Sequence, residues 1–344
     1  MDITSTAGRL QPGVRLIDMD PVVSPLEQLR PWGRRMRFRL EQHFLTEALR
    51  KGCRLWVEDR AKGMAFIERG RQNFRAAPRA LMAAAQTEAV RVRDVPPWLA
   101  SPPVPCEWFA PVKGEPEGCV FYVHGGSFIA ERSPRLTVMV SQFAGRANAR
   151  VFAPDYRLAP EHPCPAAVDD IAAAYRWIRK AQPDVPIVAL ADSAGCSVLL
   201  AALQQARDEG EVMPEGIVLL SPWVDLSLQS WSVVAASMTG TTGSSMEALA
   251  LMAHLYLQGG SATDPVASPL FGDFSGFPPM LIHASKGDIL YDDATRLADR
   301  IRDIGGDLTV RLWASETHMW ERTNSSRAKE SIDLAADFIQ RCLA

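Results

Sequence analysis

The sequence lacks the features that would place it in a membrane or outside the cell. It has no run of about 18 consecutive apolar residues, the length that a membrane-spanning helix needs. Its first residues, MDITSTAGRLQPG, contain neither the basic start nor the apolar stretch of a secretory signal peptide. We therefore expect a cytoplasmic chain without a transmembrane segment.

Cysteine pairs and an excess of charge of one sign are also missing. The 6 cysteines are scattered, with no CxxC pair and no His/Cys metal-ligand spacing, so we expect reduced thiols and no metal site. Lys and Arg number 37 against 40 Asp and Glu, a formal net charge of −3. No general positive field is available to hold a phosphate backbone, so nucleic acid is not an expected partner.

The pattern of the sequence changes near residue 95. The segment from Pro25 to Val92 has helix-like spacing, and a proline-rich linker follows it. Beyond the linker, short apolar runs alternate with helix-like stretches, which is typical of parallel strands covered by helices on both faces. We predict a helical N-terminal region over residues 1–95 that contributes to a cap, and a doubly wound α/β domain over residues 96–344.

Six strands and four helices can be predicted within the α/β domain. The strands are 119–123, 150–154, 187–191, 216–220, 280–284 and 308–313, and the helices are 166–180, 194–209, 292–304 and 325–342. About sixty residues separate the strand ending at Leu220 from the strand beginning at Met280, more than a simple crossover needs. We predict a cap insertion there, at about 228–275, with a helix over 246–258. It should lie over the carboxyl edge of the sheet, where open α/β sheets bind ligands.

Ser193 lies where an apolar strand runs through a turn of small residues into a helix. Such an elbow exposes the serine Oγ above the sheet, and the helix N-terminus directs N–H groups towards developing negative charge. The usual pattern is G-x-S-x-G; Ala191 stands at its first glycine and Gly195 at its second. The pattern favours a nucleophile at Ser193, and the alternative is a helix N-cap without a catalytic role.

The strand 119–123 ends in His124-Gly-Gly-Ser-Phe, which is similar to the HGGG-type loop that supplies oxyanion-binding N–H groups in α/β-hydrolases. Glycine lets the backbone approach a substrate carbonyl closely. We expect an oxyanion hole built from the N–H groups of Gly125, Gly126 and Ala194. Ser127 occupies the position of the third glycine, and the sequence leaves open whether its N–H joins the hole.

Four motifs in the same order resemble those of the hormone-sensitive-lipase-like family of α/β-hydrolase esterases. They are His124-Gly-Gly-Ser-Phe, Asp155-Tyr-Arg-Leu-Ala-Pro-Glu-His-Pro-Cys-Pro-Ala-Ala-Val-Asp-Asp170, Asp192-Ser-Ala-Gly195 and Ser221-Pro-Trp-Val-Asp225. The similarity runs from about Val120 to the C-terminus. It implies an α/β-hydrolase fold with a mostly parallel sheet, and a helical cap built from the N-terminal region and from an insertion after the sixth strand of that fold. It also implies serine esterase chemistry without a metal or an organic cofactor.

The resemblance implies a catalytic triad in the order Ser, Asp, His. The acid of the family corresponds to Asp288, after the strand 280–284; Asp292 and Asp293 are rivals that suit the start of the next helix better. Among the 6 histidines, His318 follows the strand 308–313 and precedes the last helix, as the family's catalytic histidine does. The family usually has His-Gly-Phe where this chain has His318-Met-Trp.

These residues predict a serine hydrolase that cleaves carboxylic esters of small to medium, fairly apolar substrates. A lactone hydrolase or a natural-product deacetylase would use the same triad, and a related fold without catalysis would act as a small-molecule receptor. We interpret the charged residues Asp155, Arg157, Glu161, Asp169 and Asp170 as bracing the sheet edge.

The basic stretch Arg30–Arg39 is interpreted as a cap helix, with contact to an anionic membrane surface as the alternative. The long segment before residue 95 leaves a homodimer open.

Overall fold

The structure is a computed structural model, and it describes residues 13–19, 51, 56, 58–74, 89–92, 101–239 and 246–344. The strands are β1 (Val14–Asp18), β2 (Ala89–Val92), β3 (Cys106–Pro111), β4 (Cys119–Val123), β5 (Arg150–Pro154), β6 (Ile187–Asp192), β7 (Gly216–Leu220), β8 (Met280–Ser285) and β9 (Leu308–Trp313). The helices are α1 (Arg60–Phe74), α2 (Pro134–Arg146), α3 (Ala166–Ala181), α4 (Ala194–Asp208), α5 (Trp231–Thr239), α6 (Met246–Leu257), α7 (Tyr291–Asp303) and α8 (Ser326–Leu343).

The strands form one sheet in the order β1-β9-β8-β7-β6-β4-β5-β3-β2. Every neighbouring pair is parallel except those of β3, which runs antiparallel to both β5 and β2. The predicted mostly parallel, doubly wound sheet is therefore confirmed. Because β4 and β6 pair from Cys119↔Ile187 to Val123↔Ala191, the loop after β4 and the turn after β6 leave the sheet side by side.

Both faces of the sheet are covered by helices. The central strands β4, β6, β7 and β8 are buried along their whole length, which explains why their sequences are apolar runs without alternation. Successive side chains point to opposite faces. One set packs against α3, α4 and α7, and the other packs against α2 and α8.

Three strands of the sheet have no counterpart in the sequence prediction. β1, β2 and β3 lie towards its two ends, and β1 and β2 belong to the segment before residue 96, for which only helices are predicted. β1 and β2 are short, at 5 and 4 residues, and carry charged residues among apolar ones, so periodicity alone does not identify them. The six predicted strands all occur, with ends within one residue of those expected.

The N-terminal segment and the insertion after β7 meet in a small apolar cluster. Ile67 of α1 packs with Leu251 and Leu255 of α6, and Ile129 from the loop after β4 contacts the same cluster. These two helices therefore cover the region where the loop after β4 leaves the sheet.

Some sequence interpretations concern residues outside the described ranges. The stretch Arg30–Arg39, His43 and Cys53 are among them. Within the described residues, no helix combines the length and the apolar character required to cross a membrane.

Candidate active site

Ser193 occupies a strained turn between β6 and α4. Its backbone has φ 50° and ψ −125°, a region that side-chain-bearing residues rarely adopt. Hydrogen bonds hold the turn on both sides: the Ser193 N–H donates to Leu220 O at 2.9 Å, and the Trp223 N–H donates to Ser193 O at 3.1 Å. The turn is thus braced by the end of β7 and by the Ser221-Pro-Trp-Val-Asp225 motif that follows it.

Glycine is required beside the turn because neighbouring atoms approach too closely for a side chain. A Cβ on Gly195 would lie 2.4 Å from Val123 O and 2.6 Å from His124 O. A Cβ on Gly125 would lie 2.4 Å from Asp192 Oδ2. Real Cβ atoms do not come within such distances, so these two glycines let the loop after β4 and the serine turn pack against each other.

The structure brings the three predicted triad residues together. Ser193 Oγ lies 2.9 Å from His318 Nε2, and His318 Nδ1 lies 2.8 Å from Asp288 Oδ2. Ser193 and Asp288 are buried, and the His318 side chain keeps 17% exposure. This order of contacts lets the imidazole accept the serine proton on one nitrogen while the carboxylate holds the other.

The two rival carboxylates have other partners. Asp292 accepts the Ser232 N–H at 2.7 Å. Asp293 is buried and accepts the N–H groups of Val224 and Asp225 at 2.8 and 3.0 Å. Burial raises the pKa of Asp293 to about 8. Both residues therefore bind the segment after β7 instead of His318.

One of the three predicted oxyanion donors, the Gly125 N–H in the loop after β4, has another partner. The Gly125 N–H donates to Asp192 Oδ1 at 2.9 Å, so this amide is engaged inside the protein. The next two peptide groups are anchored by their carbonyls: His124 Nδ1 contacts Gly125 O at 2.7 Å, and the N–H groups of Ile129 and Ala130 donate to Gly126 O at 3.1 and 3.0 Å.

Because peptide groups are planar, the bonds to these carbonyl groups also fix the directions of the N–H groups that follow them. The peptide bonds of this loop are trans, so each N–H points away from the carbonyl of the preceding residue. Anchoring Gly125 O and Gly126 O therefore fixes the directions of the Gly126 N–H and the Ser127 N–H. Ser127 has φ 54°, which shows that the loop is held in a conformation unusual for serine.

His124 orients the loop as a neutral side chain. It is buried and stacks on Tyr156 with ring centroids 4.4 Å apart, and the Tyr156 hydroxyl donates to His124 O at 2.7 Å. Burial lowers the pKa of His124 to about 3. A neutral imidazole protonated at Nδ1 is the form that donates to Gly125 O.

Asp192 is the functional residue that sequence reasoning missed. It is buried, and its Oδ1 accepts both the Gly125 N–H and the Tyr122 hydroxyl, the latter at 2.6 Å. Burial raises the pKa of this carboxyl. Its position beside Ser193 in the Asp192-Ser-Ala-Gly195 motif is a signal in the sequence, but its contact with the neighbouring loop is visible only in three dimensions.

A second buried carboxyl, Glu321, follows the histidine loop. Ser331 Oγ on α8 lies 2.9 Å from Glu321 Oε1 and 2.7 Å from His283 Nδ1 on β8. Burial raises the pKa of Glu321 to about 8 and lowers the pKa of His283 to about 3. Both groups are therefore uncharged at neutral pH, and the three side chains connect the His318 loop to β8 and α8.

Two arginines form ion pairs with carboxylates of the motifs. Arg157 binds Asp170 through its backbone N–H and its guanidinium, at 2.8 to 3.1 Å. Arg296 binds Asp225 at 2.5 Å. Among the described residues, no group of three or more His, Cys, Asp or Glu side chains is arranged to hold a metal ion.

Comparisons with known proteins identify the family to which the chain is related. A family model described as the alpha/beta hydrolase fold matches residues 120–322. The chain is 32% identical to an acetyl-hydrolase of Streptomyces hygroscopicus over 237 residues, which cover 68% of this chain and 79% of the relative. It is 30% identical to an esterase of Acinetobacter venetianus over 224 residues, or 64% of this chain and 73% of the relative.

Solved structures extend the similarity to the whole hydrolase fold. A homologue of hormone-sensitive lipase from a metagenome library superimposes with a TM-score of 0.68 at 31% identity, over 82% of this chain and 98% of that chain. An esterase from the bacterial hormone-sensitive lipase family superimposes with a TM-score of 0.69 at 30% identity, over 81% of this chain and 98% of that chain. The chain belongs to the hormone-sensitive-lipase-like family of α/β-hydrolase esterases.

Proposed function

We propose that this protein is a carboxylic-ester hydrolase that uses Ser193 as nucleophile, His318 as general base and acid, and Asp288 as the residue that orients the imidazole. The observation that carries the proposal is the continuous contact from Ser193 Oγ to His318 Nε2 and from His318 Nδ1 to Asp288. A non-catalytic receptor would have no need to keep this arrangement.

The reaction follows from the proton positions in that contact. His318 Nε2 takes the hydroxyl proton as Ser193 Oγ attacks the ester carbonyl, and Asp288 stabilises the imidazolium that forms. The proton then passes to the departing alcohol, which leaves an acyl-enzyme on Ser193. Water, deprotonated by His318, attacks the acyl carbonyl and releases the acid.

The oxyanion is bound by the N–H groups of Gly126, Ser127 and Ala194. The anchoring of Gly125 O and Gly126 O supports the first two donors, and the position of Ala194 directly after the nucleophile supports the third. Preorganised donors of this kind each contribute roughly 10²- to 10³-fold to turnover. Gly125 serves the loop through Asp192 and is not a donor to the substrate.

Substrates are small to medium, fairly apolar esters. This size range is supported by three aromatic rings that pack together between the oxyanion loop and the cap. The ring centroid of Phe128 lies 4.0 Å from that of Tyr256, on which it stacks, and 5.3 Å from that of Trp223. All three side chains are buried, and rings packed in this way would limit the length of an acyl chain bound beside them.

A second candidate is the removal of an acetyl group from a natural product, which the similarity to an acetyl-hydrolase favours. A lactone hydrolase would use the same triad and remains the other alternative.

We further propose that the N-terminal region and residues 228–275 together form the cap, that the enzyme is cytoplasmic, and that it forms a homodimer. The packing of Ile67 against Leu251 and Leu255 supports the shared cap. The five described cysteines are free thiols, as expected in a reducing compartment. Cell fractionation and light scattering test the location and the oligomeric state.

The proposed function is tested by hydrolysis of p-nitrophenyl esters from acetate to decanoate by the wild type, Ser193→Ala and His318→Ala. We expect turnover that is highest on short acyl chains and is lost in both variants. Equal activity in the wild type and Ser193→Ala would refute the proposal, and a preference for decanoate would refute the expected substrate size.

A further inference from the structure

Arg71 on α1 reaches across to the loops beside the active site. Its Nε donates to Ile129 O at 2.7 Å, and its Nη2 donates to Ala159 O at 3.0 Å. The same guanidinium forms a two-point ion pair with Glu161, with distances of 2.7 and 2.8 Å. One side chain from the N-terminal segment thus binds two loops of the hydrolase domain.

The Arg71 guanidinium is largely buried and is held in place more firmly than in a surface ion pair. The Arg71 side chain is only 11% exposed, whereas that of Glu161 is 40% exposed. Glu161 raises the pKa of Arg71, so the donors stay charged. Hydrogen bonds from a charged donor to a carbonyl are stronger than those between neutral groups, so the two carbonyl contacts hold their loops firmly.

Ile129 O belongs to the turn that orients the oxyanion loop. The peptide group that carries Ile129 O also carries the Ala130 N–H, and this N–H donates to Gly126 O at 3.0 Å. The peptide group that carries Gly126 O in turn carries the Ser127 N–H. Because each peptide group is planar, fixing Ile129 O restricts the direction of the Ser127 N–H on the peptide group bonded to it.

Ala159 O supports the same turn from the other side. The Ala159 N–H donates to Phe128 O at 3.0 Å, so the loop containing Ala159 is already bonded to the oxyanion loop. Arg71 binds Ala159 O and Ile129 O together and closes a ring of hydrogen bonds around this contact. Neither loop can then shift without breaking a bond to Arg71 or to the other loop.

We propose that Arg71 is a positioning residue for the oxyanion hole, and that the N-terminal helix α1 therefore takes part in setting the turnover rate. This inference rests on the proposed esterase function. Arg71 fixes the Ile129 peptide group, which is bonded to the Gly126 peptide group and thereby holds the Ser127 N–H in its direction. An error of about 1 Å in the placement of catalytic groups lowers rates by roughly 10²-fold, so a smaller loosening is enough to be measured.

The variant that tests the proposal is Arg71→Met, which keeps a long apolar side chain and removes all donors. We expect kcat on p-nitrophenyl acetate to fall about tenfold and KM to change less than about twofold, because the oxyanion contact strengthens in the transition state. The affinity for a trifluoromethyl ketone, which forms an oxyanion on the nucleophile, should fall in parallel with kcat/KM. Loss of fold stability alone would not produce that parallel.

Three further variants separate the carbonyl contacts from other effects. Arg71→Lys keeps the charge beside Glu161 without reaching both carbonyls, so we expect most of the loss in kcat to remain. Glu161→Gln removes the ion pair and leaves both carbonyl contacts, so kcat should stay within about threefold of the wild type. Arg69→Met is the matched control, because Arg69 is exposed on the same helix, and it should leave kcat unchanged.

The outcomes distinguish this inference from the proposed function. Unchanged kcat in folded Arg71→Met and Arg71→Lys would overturn the positioning role, and so would a loss in Glu161→Gln as large as that in Arg71→Met. A wild type that neither hydrolyses the ester nor reacts with a fluorophosphonate would instead overturn the esterase function itself.

Discussion

Replacing Glu321 by Gln is expected to change how the stability of the protein depends on pH. Burial raises the pKa of Glu321 to about 8 from 4.5, so the folded protein keeps this proton over a range in which the unfolded chain has lost it. The charges around the carboxyl are Asp192 and Asp288, which also raise its pKa. His283, held across Ser331, stays neutral. Arg322 is the positively charged side chain that interacts with the Glu321 carboxyl.

The sign and size of the effect follow from proton linkage. A raised pKa in the folded state gives stability that is fully present below pH 4.5 and is lost as the pH rises to about 8. One proton contributes about 1.4 kcal/mol per pH unit, so the loss over this window is on the order of 5 kcal/mol. Gln has no proton to lose, and its amide can replace the neutral carboxyl beside Ser331.

The assay is urea unfolding of the wild type and Glu321→Gln at several pH values between 4.5 and 9. The free energy of unfolding of the variant minus that of the wild type should rise between pH 4.5 and 8 and stay level above. Contributions of other groups, including His124, cancel in this difference. Asp303→Asn, which changes an exposed carboxyl, is the control and should give a flat difference. A flat difference for Glu321→Gln as well would refute the assignment of a neutral, buried Glu321.

Four further variants test single contacts of the site. Gly195→Ala should greatly reduce kcat, because its Cβ would lie 2.4 Å from Val123 O; near-normal kinetics would contradict the close packing of the turn. Asp288→Asn should lower kcat by roughly 10⁴-fold, whereas Asp292→Asn should leave kcat nearly unchanged; the reverse order would identify a different acid. Tyr122→Phe should lower the free energy of unfolding by about 1–3 kcal/mol, as it removes a donor from a buried carboxylate, and calorimetry measures this.

The fold and the nucleophile could be predicted from local patterns, and the acid and the base of the triad followed from the resemblance of the motifs to a known family. The apolar runs of β4, β6 and β8 have no alternation, and strands of this kind are buried on both faces in a parallel sheet. Parallel strands end at the same edge, and Ser193, Asp288 and His318 each follow one, so the triad that the resemblance implies is compatible with the predicted sheet.

The parts that could not be predicted depend on contacts between distant residues. No local pattern shows that the Gly125 N–H is taken by Asp192, so this glycine was wrongly expected to bind the oxyanion. Glu321 follows a loop histidine in the sequence, where burial is not expected for a carboxylate. The contact of Arg71 with Ile129 O joins residues 58 positions apart and uses a carbonyl, which every residue has.

The central claim is that ester hydrolysis passes through an acyl-enzyme on Ser193. The most direct test is to incubate the wild type and Ser193→Ala with a fluorophosphonate and to locate the adduct by peptide mass spectrometry. We expect one adduct, on Ser193, that forms in step with the loss of esterase activity and is absent from Ser193→Ala. Loss of activity without an adduct on Ser193, or an adduct on another residue that abolishes activity, would contradict the account.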